Sequence, residues 1–333
     1  NLRATINPMP VLVTSLQVLL PALLIAAGLG TLLATENFSG VAYTQGMAGS
    51  ESASSAPARA STTPPAPTWP APLDRAQYDR RLLSLADYEP PVLPATSTAT
   101  GTVGVADQGP APSQLVYSSS TNVVIPGRNW PAAAPYPHGG AILPFHRIVA
   151  YYGNFYSTRM GILGELPRAQ VLAQLASTSA AWEAADPDTP VVPAIHYIAI
   201  VAQGEAGADG MYRNVMPAAH IERAYSMAQE IDGIMFLDLQ VGYSSLPAEL
   251  PQFRAYLARP DVHLAIDPEF AMPPGNPPGT VIGSFTAEEI NYAIQYLDAI
   301  VQEERLPPKV LVVHRFTQNM VGTPSAIKPT PNV

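Results

Sequence analysis

Two apolar runs end in acid. Ile234-Met235-Phe236-Leu237 leads into Asp238-Leu239-Gln240, and Val262-His263-Leu264-Ala265-Ile266 leads into Asp267-Pro268-Glu269. Runs of this length joined by a helical stretch read as buried parallel strands of a βαβ unit. In such units the C-terminal strand ends carry function. Asp238, Asp267 and Glu269 are therefore the candidate catalytic groups. Glycoside hydrolysis needs one protonated carboxyl for the leaving oxygen and one ionised carboxylate as base or nucleophile. The two stand about 5–5.5 Å apart for retention and about 6.5–9.5 Å apart for inversion. Acids on neighbouring strand ends can meet either spacing. Asp238 paired with Glu269, with Asp267 tuning the acid, is the expected arrangement. The plainer expectation is that these acids cap the following helices or pair with His314 and Arg315.

Other residues are candidates for binding substrate. Glu205 and Asp209 lie in the glycine-rich loop Gln203–Gly210, which lacks the spacing of an EF-hand. Gln240, His314 and Arg315 follow strand ends. Tyr152, with Tyr151, Tyr197 and Tyr243, lies at or near strand ends, and flat amphipathic rings suit sugar faces as well as barrel filling. His196 falls inside a strand and reads as a satisfied core or barrel-interior histidine. His196, His263 and His314 sit on three strands without an HExxH spacing, so no metal and no cofactor is expected. No GxSxG, GxGxxG or Walker sequence is present.

The elements that must hold these residues alternate. Strands are predicted at Arg147–Tyr152, Val191–Val201, the two runs above, Thr280–Ser284 and Lys309–His314. Helices are predicted at Pro167–Trp182, with Val171, Leu172, Leu175 and Trp182 inward, and at Pro217–Ile231, Pro247–Leu257 and Thr286 to about Arg305. The last opens with a Thr286/Glu289 capping box. Alternation of this kind implies a parallel sheet with right-handed crossovers, and the spacing suits a TIM-barrel-like α/β domain over 142–333. Only six strands are legible, so the chain is expected to stop before the domain does.

Ahead of that domain, Val11–Ala34 is an uncharged run of 24 residues. A helix needs about 20 apolar residues to span a bilayer. The run exceeds the apolar core of a cleaved signal, about 7–15 residues. Arg3 before it and Glu36 after it place residues 1–10 in the cytoplasm and the remainder outside. Residue 1 is Asn, so more sequence is expected before it. Residues 35–141 are rich in Pro, Ala, Ser and Thr and read as an extracytoplasmic linker. A short helix is expected near 73–89, with Tyr78, Leu82 and Leu85 on one face.

Composition agrees with this division. Of 333 residues, 37 are proline and 13% are charged, against about 25% in a typical soluble domain. The net charge of −9 offers no basic face for nucleic acid. The absence of cysteine excludes thiolate catalysis, disulfides and Cys-ligated metal.

The segments VPAIHYIAIVAQGEAGADGMYRN, IMFLDLQVG, HLAIDPEF, IGSFTAEEIN and LVVHRFTQNM together resemble secreted or membrane-tethered bacterial proteins with glycoside-hydrolase-like (β/α)8 barrels. The resemblance covers about Phe145 to Met320. It implies a barrel outside the cytoplasmic membrane that binds or hydrolyses envelope or extracellular glycans. The chain departs from the group, whose members commonly carry a lipoprotein cysteine or signal, in having a cysteine-free spanning segment. A second reading is a non-catalytic accessory subunit of a larger membrane complex. There the 11–34 helix would contact lipid and partner helices, and the Pro-rich segment would lie along a partner protein.

Overall fold

The structure is a computed structural model and describes residues 69–89, 115 and 118–333. The expected spanning segment at 11–34 and most of the Pro-rich stretch lie outside the described residues. Among the described residues no helix is long and apolar enough to cross a membrane.

The first described helix is α1 (Arg75–Leu85). Asp74 caps it by accepting from the Gln77 backbone N–H at 2.9 Å, which satisfies one of the helix's free donors. Its buried face carries Asp79, Leu82 and Leu83. The expected Leu85 is instead exposed. The segment that follows packs on this face through Val123 and Ile125. Asp79 fastens it there, accepting from the Val123 N–H at 3.0 Å and the Tyr136 hydroxyl at 2.6 Å.

From β1 (Arg147–Gly153) onward the elements alternate as the hydrophobic pattern requires. They run α2 (Ile162–Glu165), α3 (Arg168–Ala185), β2 (Val191–Ala202), β3 (Arg213–Val215), α4 (Ala218–Glu230), β4 (Ile234–Leu239), α5 (Leu246–Glu249), α6 (Arg254–Leu257) and β5 (Val262–Ile266). Then come β6 (Phe285–Thr286), α7 (Ala287–Glu304), β7 (Leu311–Val313) and β8 (Val321–Gly322). Five strands pair in parallel in the order β1-β2-β4-β5-β7 and curl into a half-barrel, and β3 lies antiparallel on β2.

Three local expectations change. Thr280–Ser284 is not a strand. Val281 and Ile282 are exposed after the Pro- and Gly-rich turn, and pairing begins only at Phe285, with β8 in a separate two-stranded sheet. Pro247–Leu257 is broken, with a 3-10 turn over Leu250–Phe253 between α5 and α6; Pro251, lacking an N–H, cannot extend the α ladder. Trp182 is exposed, and the Arg147 guanidinium lies 4.8 Å over its ring. The α7 capping box forms as expected: the Thr286 hydroxyl accepts from the Glu289 N–H at 3.2 Å, and the Glu289 carboxylate accepts from the Thr286 N–H at 2.8 Å.

Strand residues alternate between two layers because successive side chains point to opposite faces. Ile195, Tyr197, Met235, Leu237, Leu239, Leu264 and Ile266 enter the large core shared with the helices. Ala194, Ile234, Phe236 and Ala265 form a smaller cluster on the concave face, with Ile148, Val192, Val310 and Val312 against it. The same parity carries Tyr152, His196, Asp238, Gln240 and Asp267 to the concave side.

At the bottom of β7, Lys309 is 3% exposed. Its ammonium donates to the carbonyls of Arg259, Pro260 and Val262, the last at 2.8 Å, and so stitches the turn before β5. Burial lowers its pKa from 10.5 to about 8, against a smaller opposing pull from Asp261. The unfolded chain therefore binds more protons than the folded one between pH 8 and 10.5, and stability rises with pH through that window. Relative to Lys309→Met, the wild-type protein should gain up to about 3 kcal/mol across it. Urea unfolding of both proteins at pH 7.5, 9 and 10.5 checks this; parallel pH curves would refute it.

Candidate functional site

The half-barrel brings three side chains from three strands to one point. His196 comes from β2, Asp238 from β4 and His314 from the residue after β7. The His196 and His314 Nε2 atoms lie 3.4 and 3.2 Å from Asp238 Oδ2, and 3.4 Å from each other. Asp238 is fully buried, and neither of its oxygens has an aligned hydrogen-bond partner. The two imidazoles are near enough to attract its charge, and the Tyr152 hydroxyl also reaches it. Burial alone would raise the Asp238 pKa, but the two imidazoles outweigh it and hold the carboxyl below the usual range. The Asp238 contact in turn raises His314, against burial.

Aromatic rings fix the imidazoles. Phe236 stacks on His196 at 5.2 Å between centroids. Tyr152 meets His196 and His314 edge-on at 5.1 and 5.9 Å. Burial, then the charges of Asp238 and Asp267, push the Tyr152 phenol well above its ordinary range, so it keeps its proton and can donate.

Asp267, in register beyond the Asp238 layer, completes the group. Its pKa is raised to about 6, first by burial and then by the Asp238 charge. One oxygen accepts from the Glu269 N–H at 3.1 Å, capping a short 3-10 turn, so the capping expectation and the site both apply to it. Gln240 is buried and ties three strands together. Its Oε1 accepts from the Ala202 N–H at 3.1 Å, and its Nε2 reaches Tyr152 Oη at 3.4 Å and Asp267 Oδ2 at 3.5 Å. A cavity of about 700 Å³ opens on the concave face; His196 and His314 stand in its walls, which run from them toward Arg147, Ile148 and Val310 at the strand starts and do not include Asp238 or Asp267.

The other candidates lie apart. Glu269, by contrast, is half-buried two residues beyond Asp267, and its charge is near enough to help raise the Asp267 pKa. Glu205 and Asp209 are exposed, and Asp209 is engaged within its own loop, with Arg213 at 2.8 Å and the Met211 N–H at 3.1 Å. Arg315 is exposed and donates to the Thr317 and Gln318 carbonyls rather than to the strand-end acids. Tyr151 bonds Thr178, Tyr197 is buried in the outer core, and Tyr243 packs on Tyr212. His196, read from the sequence as a core or barrel-interior histidine, faces the barrel interior and belongs to the site. Parity was the available signal: His196 and Asp238 both fall on the concave face.

The turn carrying Asp267 is held by close backbone approach at Gly283. A β-carbon there would lie 2.5, 2.6 and 2.7 Å from the carbonyl oxygens of Ala271, Pro268 and Glu269. Gly283→Ala should therefore displace this turn and cost about 1–3 kcal/mol. Denaturant unfolding measures the cost, and a variant as stable as wild type would show that the turn yields freely.

Comparison of the chain with protein-family models, curated proteins and solved structures gives no match. The chemistry of the site is the remaining guide to its use.

Proposed function

We propose that the chain is a membrane-tethered, extracytoplasmic hydrolase of envelope or extracellular glycans, built on a (β/α) barrel of glycoside-hydrolase type. The observation that carries this reading is the convergence of Asp238, Asp267, His196, His314, Tyr152 and Gln240 at the C-terminal ends of parallel strands, beside an open cavity. That is where this class of fold does its chemistry. Asp267 is the group that protonates the leaving oxygen. Asp238, shut away from substrate, acts through the two imidazoles that it holds. Gln240 fixes the geometry of Asp267, and the Tyr152 hydroxyl offers a donor to sugar hydroxyls. The resemblance of the strand-end segments to glycoside-hydrolase-like proteins supports the substrate class, and the 11–34 run supports the location.

The test is release of new reducing ends from a panel of envelope and extracellular polysaccharides by the full chain in detergent. Wild type should release them and Asp267→Asn should not. A wild-type protein that cleaves none, and elutes with stoichiometric partner proteins, would replace this reading with the accessory-subunit role.

A further inference from the structure

We infer that His196, Asp238 and His314 form a binding site for one divalent transition-metal ion of the zinc class. The three facing atoms, two Nε2 and Oδ2, make a nearly equilateral triangle with edges of 3.2, 3.4 and 3.4 Å. Ligand atoms about 2.0–2.1 Å from a tetrahedral ion stand about 3.3–3.4 Å from one another. The triangle matches that spacing with three protein ligands and leaves a fourth position.

An independent observation points the same way. Both oxygens of Asp238 are buried and without an aligned hydrogen bond. An ionised carboxylate taken out of water costs several kcal/mol unless it is paired or coordinated. An ion in the triangle would give the buried carboxylate a stronger partner than the two imidazoles alone. It also removes the awkwardness of two imidazole nitrogens facing each other and one acid, since neutral imidazole and carboxylate are good ligands together. The three groups lie within coordinating reach of one another. The Tyr152 and Phe236 rings hold the imidazoles from the side, which limits the reorganisation that binding requires. His196 and His314 also line the cavity, the side from which a fourth ligand, water or substrate, would reach the ion.

The donor set of two nitrogens and one oxygen suits zinc, and it also suits cobalt and iron. Mg²⁺ and Ca²⁺, which prefer oxygen alone, should bind poorly. The site deepens the hydrolase reading and rests on it only for the use made of the ion. A bound ion would lower the pKa of its water to about 7 and so provide the nucleophile for a hydrolase.

The experiment uses the full chain in detergent, stripped with a chelator, dialysed, and titrated with Zn²⁺ by calorimetry and with Co²⁺ by visible absorption. One ion per chain is expected, with the intense visible bands of four-coordinate cobalt and a higher Tm in Zn²⁺. Asp238→Asn and His314→Gln should each weaken Zn²⁺ binding by at least about 100-fold, a loss larger than removal of an outer-shell partner usually brings. His138→Gln, at a histidine outside the triangle, should change nothing. His314 is the more exposed ligand, so His314→Gln keeps the test decisive if Asp238→Asn fails to fold, as read by far-ultraviolet circular dichroism. Stoichiometry and affinity unchanged in His314→Gln, or no ion bound by the wild-type chain, would overturn the site. Ion binding without glycan turnover supports the site and sinks the hydrolase reading. Turnover without ion binding overturns the site and leaves that reading standing.

Discussion

Asp267→Asn should produce a protein that is inactive and more stable than wild type. Asparagine keeps the shape of the side chain and an oxygen to accept from the Glu269 N–H, giving up only the long 3.5 Å contact from Gln240 Nε2. What disappears is the transferable proton. Loss of a positioned acid typically costs 10²–10⁴-fold in rate, here expected in kcat with KM little changed. The gain in stability has a separate cause. Burial and the Asp238 charge raise the Asp267 pKa from 3.8 to about 6. The folded protein therefore binds more protons than the unfolded chain between those values, and wild-type stability falls as pH rises through the window. The variant escapes that loss. At pH 7 it should be more stable by up to roughly 3 kcal/mol, with the difference vanishing below about pH 4. Strain of this kind at a working site is a common exchange of stability for activity. Kinetics on whichever polysaccharide of the panel the wild type cleaves, with urea unfolding of the chelator-stripped protein at pH 3.5, 5 and 7, reads both effects. A variant with a tenth or more of wild-type turnover would remove Asp267 from the chemistry, and equal stability at pH 7 would mean that the carboxyl is not strained.

Leu237→Ala should have the opposite effect on stability, although Leu237 adjoins Asp238 in the chain. Its side chain points to the convex face, is fully buried, and enters the large core between sheet and helices. Truncation loses the transfer free energy and leaves a void, together about 2–5 kcal/mol. A domain of this kind has about 5–15 kcal/mol of stability in all, so the variant should unfold at markedly lower urea and populate unfolded chain near 37 °C. A loss below about 1 kcal/mol would show that α4 and its neighbours close over the gap. The contrast follows from the pleat: one residue stabilises the fold and the next serves the site because they leave the strand on opposite sides.

Much of this organisation was legible along the chain. All five strands of the half-barrel were marked by runs of apolar and β-branched residues, β7 lying inside the predicted Lys309–His314 run. The start of α7 was marked by Thr286 and Glu289. Asp238 and Asp267 stood out because acids seldom end such runs without a task. Thr280–Ser284 misled because its few apolar residues have the composition of a strand but find no neighbour in the main sheet; Val281 and Ile282 remain exposed. Local propensity does not decide whether a partner exists.

The site itself was only half legible. The sequence alone determined which residues share a face of each strand, because alternation is a property of a single strand; it did not say which face is concave. It also determined that cysteine chemistry is absent and that the acids sit at the functional ends of the strands. Only the tertiary structure decided that His196 and His314, 118 residues apart, approach to 3.4 Å over Asp238. They stand on strands separated by two others in the sheet order. On a flat sheet, strands three places apart would be roughly 14 Å apart at about 4.7–4.9 Å per step. The curl closes that distance, and curl arises from strand twist and from helix packing on the convex face, neither of which is written in the spacing of histidines along a chain.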